Sequence, residues 1–224
     1  MSDLILHIET ATKICSVAIS ENGNLIDCIE TSSEGYVHGE KLTLFIQELM
    51  ARNSILANQL SAVSFSAGPG SYTGLRIGLS TTKGLCYALA IPLIGLNTLE
   101  ILAHSAKNIS ELNIISMLDA RRMEVYAQIF DKDAQELTPI EAVVVDENTF
   151  ETFEPFIAIG DGVEKLKSIW EHRKQILFEE ETLLSARNQV KLAFNKYSQQ
   201  EFEDLAYFTP FYLKEFTVGV PKSK

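Results

Sequence analysis

The stretch Ser66-Ala-Gly-Pro-Gly-Ser-Tyr-Thr-Gly-Leu-Arg-Ile-Gly, ending at Gly78, constrains the fold more than any other part of the chain. A strand pattern over Ala62 to Ser66 runs into it, and a helix from Thr73 to about Ala90 leaves it. Gly68 and Gly70 permit a tight turn around Pro69. Gly74, Gly78, Thr82 and Cys86 then recur every fourth residue, a ridge of small side chains that lets another helix approach closely. Glycine inside a helix costs about 1 kcal/mol relative to alanine, so Gly78 and Gly84 need a return. Close helix contact is the simplest one. A strand, a glycine turn and a helix N-terminus also offer backbone N–H groups to phosphate or carboxylate. Yet the stretch lacks the Gly-Lys-Ser/Thr ending of a Walker A loop, and its glycines do not spell GxGxxG. Packing or partner contact therefore fits better than direct ligand binding.

The flanking pattern sets the fold class. Leu4 to Glu9, Ser16 to Ser20 and Leu25 to Thr31 read as strands, the last two joined by Glu21-Asn22-Gly23-Asn24, a hairpin signal. From His38 to Arg52 the period becomes helical, with Leu42, Phe45, Ile46, Leu49 and Met50 on one face and Leu44 off it. Ile91 to Leu96 is the next strand, and Asn97 caps a further helix. The second half repeats this opening with strands at Asn113 to Leu118 and Glu124 to Phe130 around Asp119-Ala120-Arg121-Arg122. Ala142 to Val145, Phe156 to Ile159 and Gln175 to Phe178 follow as strands. Helices are predicted over Val163 to Trp170 and Leu183 to Tyr197. The result is an α/β chain with mixed sheets covered by helices and a hint of duplication. The two lobes are placed at residues 1–106 and 107–224.

Charge limits the partners. Thirty acidic against nineteen basic residues give a formal charge of −11. A chain this acidic repels a phosphate backbone, so any link to nucleic acid should pass through a partner. The N-terminus lacks the basic and apolar regions of a signal peptide, and the longest apolar run, Gly84 to Leu96, is broken by Pro92. A soluble, cytoplasmic protein with no membrane association is expected. Cys15, Cys28 and Cys86 have no CxxC spacing and read as reduced structural thiols.

No catalytic set emerges. His7, His38, His104 and His172 include no pair at i, i+3 or i+4 that could hold a metal. No Gly-x-Ser-x-Gly nucleophile elbow occurs. Glu9, Asp119 and Asp161 stand at strand ends, where ligands are often met, but turn and cap roles serve them equally well.

The chain resembles the TsaB (YeaZ) family. The likeness is carried by Gly68 to Gly78, His7-Ile-Glu-Thr, Cys15-Ser-Val-Ala, His38-Gly-Glu-Lys-Leu, Leu118-Asp-Ala-Arg-Arg with Glu124-Val-Tyr, Gly160-Asp-Gly and Pro210-Phe-Tyr-Leu-Lys. It runs in order along nearly the whole sequence. The resemblance implies an actin-like ATPase fold of two related lobes, shared with sugar kinases and Hsp70. It also implies a non-catalytic role in making threonylcarbamoyladenosine in tRNA, beside the catalytic paralogue TsaD and the small ATPase TsaE.

In that paralogue a His-x-x-x-His metal pair follows the corresponding strand, and counting from Pro92 its positions fall on Thr98 and Leu102. Leucine cannot ligate a metal. No catalytic residue, metal or cofactor is therefore expected. Glu9, Thr10 and Thr12 are the nucleotide-binding candidates, with Glu9 standing where many members carry Asp. The family's partner helices correspond to His38–Arg52 and Thr73–Ala90. The contact residues expected there are Leu42, Phe45, Ile46, Leu49, Gly74, Gly78 and Thr82, and the same surface permits a homodimer. On this reading tRNA is met only indirectly. The alternative is a small-molecule kinase or ATPase of the same fold, using Glu9, Asp119 and Asp161.

Overall fold

The computed structural model describes residues 2–32, 38–106, 111–179 and 184–214. The first sheet is built from β1 (Leu4–Glu9), β2 (Ile14–Glu21), β3 (Asn24–Ser32), β4 (Leu60–Gly68) and β5 (Leu93–Asn97), in the order β3-β2-β1-β4-β5. The first three are antiparallel, and β4 and β5 run parallel to β1. Asn22 and Gly23, both at positive φ, make the β2–β3 hairpin turn that the Asn-Gly pair predicted. Helix α1 (His38–Arg52) joins β3 to β4, and α2 (Tyr72–Leu89) joins β4 to β5. Ala90 closes α2 in the left-handed conformation, two residues ahead of Pro92.

The second sheet repeats the plan. Its strands β6 (Asn113–Asp119), β7 (Glu124–Phe130), β8 (Glu141–Val144), β9 (Phe156–Ile159) and β10 (Ile176–Glu179) lie in the order β10-β9-β6-β7-β8. Substituting each strand by its counterpart five places earlier reproduces the first order and the same parallel and antiparallel pairings. The duplicated, actin-like architecture expected from the sequence is what the chain adopts. The predicted lobe division at 106/107 borders residues 107–110, which lie outside the described set.

Two helices tie the sheets together. Helix α3 (Thr98–Ala106) leaves β5 and packs against β6, β7 and β9 as well as β4 and β5. Its Leu99, Ile101, Leu102 and Ala103 are fully or almost fully buried. Each leucine or isoleucine of this kind contributes about 1.5–3 kcal/mol by burial. Helix α4 (Val190–Gln199) leaves β10 and returns to β1, β3 and β5. One apolar core is thus continuous from the first sheet through α3 to the inner face of the second. A separate cluster around Trp170 covers that sheet's outer face.

Two predicted helices are shorter than the sequence suggested. Val163 to Trp170 forms a 3-10 turn at Glu164–Leu166 followed by further turns. Trp170 anchors this segment by burying its ring and donating Nε1–H to the Asp146 carbonyl at 2.9 Å. Tertiary anchoring overrides the helical spacing in so short a run. In the second case Ala186–Gln189 is a 3-10 turn, capped by Ser185, that feeds α4. Leu183, where that helix was expected to begin, lies outside the described residues.

Candidate functional site

The turn after β1 and the start of α2 are built into one another. Glu9 ends β1 fully buried, and its carboxylate accepts from the Ala11 N–H at 2.7 Å, from Gln189 Nε2 at 3.2 Å and from the Ser66 hydroxyl. Burial pushes its pKa up to about 7, while these hydrogen bonds pull the other way. Gln189 also donates to the Ile8 carbonyl at 2.8 Å and accepts from Ser64 at 2.7 Å. Ser64 in turn meets His7 Nδ1 at 2.7 Å, and His7 Nε2 meets Ser20 at 2.8 Å. Burial holds His7 neutral, with its pKa near 3. This polar chain runs through the first sheet, and every member is buried.

The nucleotide-binding candidates divide accordingly. Glu9 and Thr10 face inward, Thr10 donating its hydroxyl to the Gly74 carbonyl at 2.9 Å. Thr12 lines the cleft between the sheets, where its own hydroxyl accepts from the Ile14 N–H at 3.3 Å. The Thr12 carbonyl meets His38 Nε2 at 2.8 Å, which fastens the turn to α1.

The glycine ridge serves this packing. A Cβ on Gly70 would come within 2.6 Å of the Ala11 carbonyl oxygen, and one on Gly78 within 2.3 Å of Thr10 Oγ1. Two of the loop's donors are engaged: Ser71 N–H bonds the Ala11 carbonyl at 2.6 Å, and Gly74 N–H bonds Ser71 Oγ at 3.3 Å. The C-terminal segment covers the loop, since Phe211 N–H bonds the Ala67 carbonyl at 2.7 Å. The loop is thus packed into the fold as a joint between β1, α2 and the C-terminal segment.

The same geometry buries most of the residues expected at the partner contact. Leu42, Ile46, Leu49, Gly74, Gly78 and Thr82 are buried within the chain itself, so only Phe45 of the seven is partly exposed. Periodicity marks a helix's apolar face without saying whether it meets its own sheet or another molecule. The outward faces carry Leu44 (56% exposed) on α1 and Arg76, Gly84 and Tyr87 (81% exposed) on α2. Beyond its own helix backbone, no atom of the described residues lies within 4 Å of a Cβ added at Gly84.

A cavity of about 160 Å³ opens between the sheets, lined by Thr12, Leu102, Leu118, Asp161, Lys167 and Glu179 among others. Asp161 accepts from the Asp119 N–H at 2.9 Å, and the surrounding protein raises its pKa. Asp119 pairs with Lys165, which also donates to the Glu124 carbonyl at 2.6 Å. Of Glu9, Asp119 and Asp161, only Asp161 lines the cavity, so the three do not gather as one acid–base set. Leu102 projects into the cavity from α3. Thr98, one turn earlier, is buried with a hydroxyl unpartnered among the described residues. No group of three His, Cys, Asp or Glu side chains suited to a metal occurs among the described residues, and no helix there is long and apolar enough to cross a membrane.

Sequence reading missed the buried polar chain and the contacts of residues 201–214. Ser64 and Ser66 alternate with Val63 and Phe65 in β4, so a polar stripe on one strand face was the available signal.

Residues 35–217 match the family model described as TsaD: tRNA N6-adenosine threonylcarbamoyltransferase. Over 220 residues the chain is 26% identical to the tRNA threonylcarbamoyladenosine biosynthesis protein TsaB of Escherichia coli strain K12, covering 94% of each chain. A tRNA N6-adenosine threonylcarbamoyltransferase of Phocaeicola vulgatus is 33% identical over 128 residues, 50% of this chain and 38% of its own length. Among solved structures, YeaZ from Pseudomonas aeruginosa superposes with a TM-score of 0.77 at 21% identity, covering 94% of this chain and 100% of that one. That likeness speaks for the fold.

Proposed function

The chain belongs to the tRNA N6-adenosine threonylcarbamoyltransferase family, on its TsaB (YeaZ) side, and from that membership we propose that it is a non-catalytic subunit of threonylcarbamoyladenosine biosynthesis. It pairs with the catalytic relative TsaD and supports transfer of the threonylcarbamoyl group to the adenosine beside the anticodon. TsaE joins that assembly, and tRNA is met through the partners rather than by this acidic chain alone.

One observation carries the non-catalytic reading. The family resemblance, counted from Pro92, sets Thr98 and Leu102 of α3 at the catalytic relative's metal-pair positions, and both are buried with Leu102 facing the interlobe cavity. Leucine has no donor atom, so a metal pair could not form at these two positions. The small cavity supports the same view, because ligand pockets usually measure about 300–1,000 Å³. The nucleotide candidates Glu9 and Thr10 are engaged in internal hydrogen bonds.

The partner surface lies on residues 1–106, on the outward sides of α1 and α2. Leu44, Phe45, Gly84 and Tyr87 take the place of the buried ridge in this proposal. The same surface serves a homodimer when TsaD is absent.

The test is nucleoside mass spectrometry of tRNA from cells depleted of the chain, with add-back, together with transfer assays using purified TsaD. Loss of threonylcarbamoyladenosine restored by the chain supports the reading, and an unchanged level after verified depletion removes it. Steady ATP turnover by the isolated chain would instead favour a kinase or ATPase.

A further inference from the structure

We propose that Tyr72, Arg76 and Tyr212 form a preassembled clamp for a carboxylate on the catalytic relative; the inference rests on the partner-subunit reading above. Tyr72 and Arg76 stand one turn apart on α2, close enough for their side chains to meet. The Arg76 guanidinium carbon lies 4.0 Å from the centre of the Tyr72 ring. Its Nε–H donates to the Tyr212 hydroxyl at 3.4 Å, and the two tyrosine rings lie 5.1 Å apart at a 44° tilt.

Tyr212 is delivered by a segment fastened along its length. Glu203 N–H bonds the Leu93 carbonyl at 3.0 Å, Lys83 Nζ bonds the Ala206 carbonyl at 3.1 Å, and Phe211 N–H bonds the Ala67 carbonyl at 2.7 Å. Lys214 then pairs with Glu124 at the start of β7. The guanidinium is thereby held on two sides before any partner arrives, by a stacked ring and by a hydrogen bond to Nε.

Its two terminal nitrogens have no partner among the described residues. Arg76 is exposed, and no carboxylate pairs with it among the described residues. Three other arginines are paired, Arg52 with Asp27 and Glu48, Arg173 with Glu154, and Arg187 with Glu30. Arg121 and Arg122 share the unpaired state of Arg76 among the described residues but sit in a turn without a stacked ring. In so acidic a chain, an arginine that pairs with no carboxylate among the described residues is available to an external one. Paired N–H donors in a fixed fork match a carboxylate bidentately. A side chain already held in place also loses less freedom on binding. Arginine and tyrosine are the residue types that dominate interface energetics. Charge thus selects an acidic side chain, and the position on the outward face of α2 selects the partner expected there.

The experiment titrates the full chain into purified TsaD from the same cell by calorimetry, alongside Arg76→Ala, Arg76→Lys and Tyr212→Phe. Melting curves and self-association are recorded for each variant. Arg76→Ala is expected to weaken the complex by roughly tenfold or more, and Arg76→Lys to restore only part of that, because it keeps charge without the fork. Tyr212→Phe should weaken binding less, with melting unchanged in all three. Arg76→Ala binding within roughly twofold of wild type would overturn the clamp while leaving the partner reading standing. Failure of the wild-type chain to bind TsaD would overturn both. Loss of self-association with an intact heterocomplex would assign the carboxylate to a second copy and overturn the proposal.

Discussion

A Cβ placed on Gly74 would stand 2.0 Å from the carbonyl oxygen of Thr10, well inside van der Waals contact. That relationship explains why α2 begins as it does. The helix lies directly on the turn that follows β1, and Thr10 reaches back to hydrogen-bond the Gly74 carbonyl. Substitutions along the ridge therefore test the fold before they test any partner.

Gly74→Ala should destabilise the chain by about 1–3 kcal/mol or prevent folding, since the obstructing atom is backbone and cannot rotate away. Gly84→Ala, on the open side of the same helix, should stabilise it by about 0.5–1 kcal/mol through helix propensity alone. Chemical denaturation of both variants checks the contrast. Equal destabilisation by the two would mean that α2 does not sit on the β1 turn as described.

Gln189→Ala should cost about 1–3 kcal/mol, because it leaves buried acceptors and donors on Ser64, Glu9 and Ile8 without their shared partner. Gln189 is a buried bridge from the second sequence half into the first sheet. Loss of its amide should also speed hydrogen exchange along β1 and β4. Unchanged exchange there, with unchanged stability, would count against the network.

Protonation of the same network sets a pH dependence with two opposing parts. Glu9 has its pKa raised from 4.5 to about 7, so the folded state holds that proton more tightly than the unfolded state. Its contribution is full below pH 4.5, falls as pH rises, and is lost above pH 7, a change on the order of 3 kcal/mol. His7 is lowered from 6.5 to about 3, so its contribution rises with pH over that interval. The two offset one another between pH 4.5 and 6.5. Glu9→Gln should unmask the His7 rise, so the gap in melting temperature between wild type and variant should shrink or invert from pH 4.5 to 7. A gap constant across that range would show that Glu9 does not titrate there.

Much of this architecture is legible in the residues. The i, i+4, i+7 spacing of Leu42, Ile46 and Leu49 gave α1 its bounds, and Asn22-Gly23 gave the hairpin, because both signals are local. Whether Leu42, Ile46 and Leu49 face their own sheet or a partner was not legible, since an apolar stripe looks alike in both cases. The Glu9–Ser66–Gln189 contacts join positions up to 180 apart, and Arg76 to Tyr212 spans 136. No window on the sequence contains both ends of such pairs. Trp170 illustrates the reverse case, where a locally helical pattern yields to a tertiary anchor at Asp146.

The outward faces of α1 and α2 supply the most direct test of the partner surface. Leu44 and Tyr87 are 56% and 81% exposed, so replacing either by glutamate removes little buried area within the chain. Surface substitutions of this kind usually change stability by about 0.5 kcal/mol or less. At an interface core the same charge is desolvated without a counter-ion, which costs several kcal/mol, about tenfold in affinity for each 1.4 kcal/mol. Leu44→Glu and Tyr87→Glu are therefore expected to melt like the wild type yet lose TsaD binding and homodimer formation, read by calorimetry and by light scattering on a sizing column. Gly78→Asp is unsuitable for this purpose, because its side chain would strike Thr10 and Phe65 and unfold the helix contact first. Full binding by both surface variants would move the interface away from these helices, and the carboxylate clamp at Arg76 would lose its setting with it.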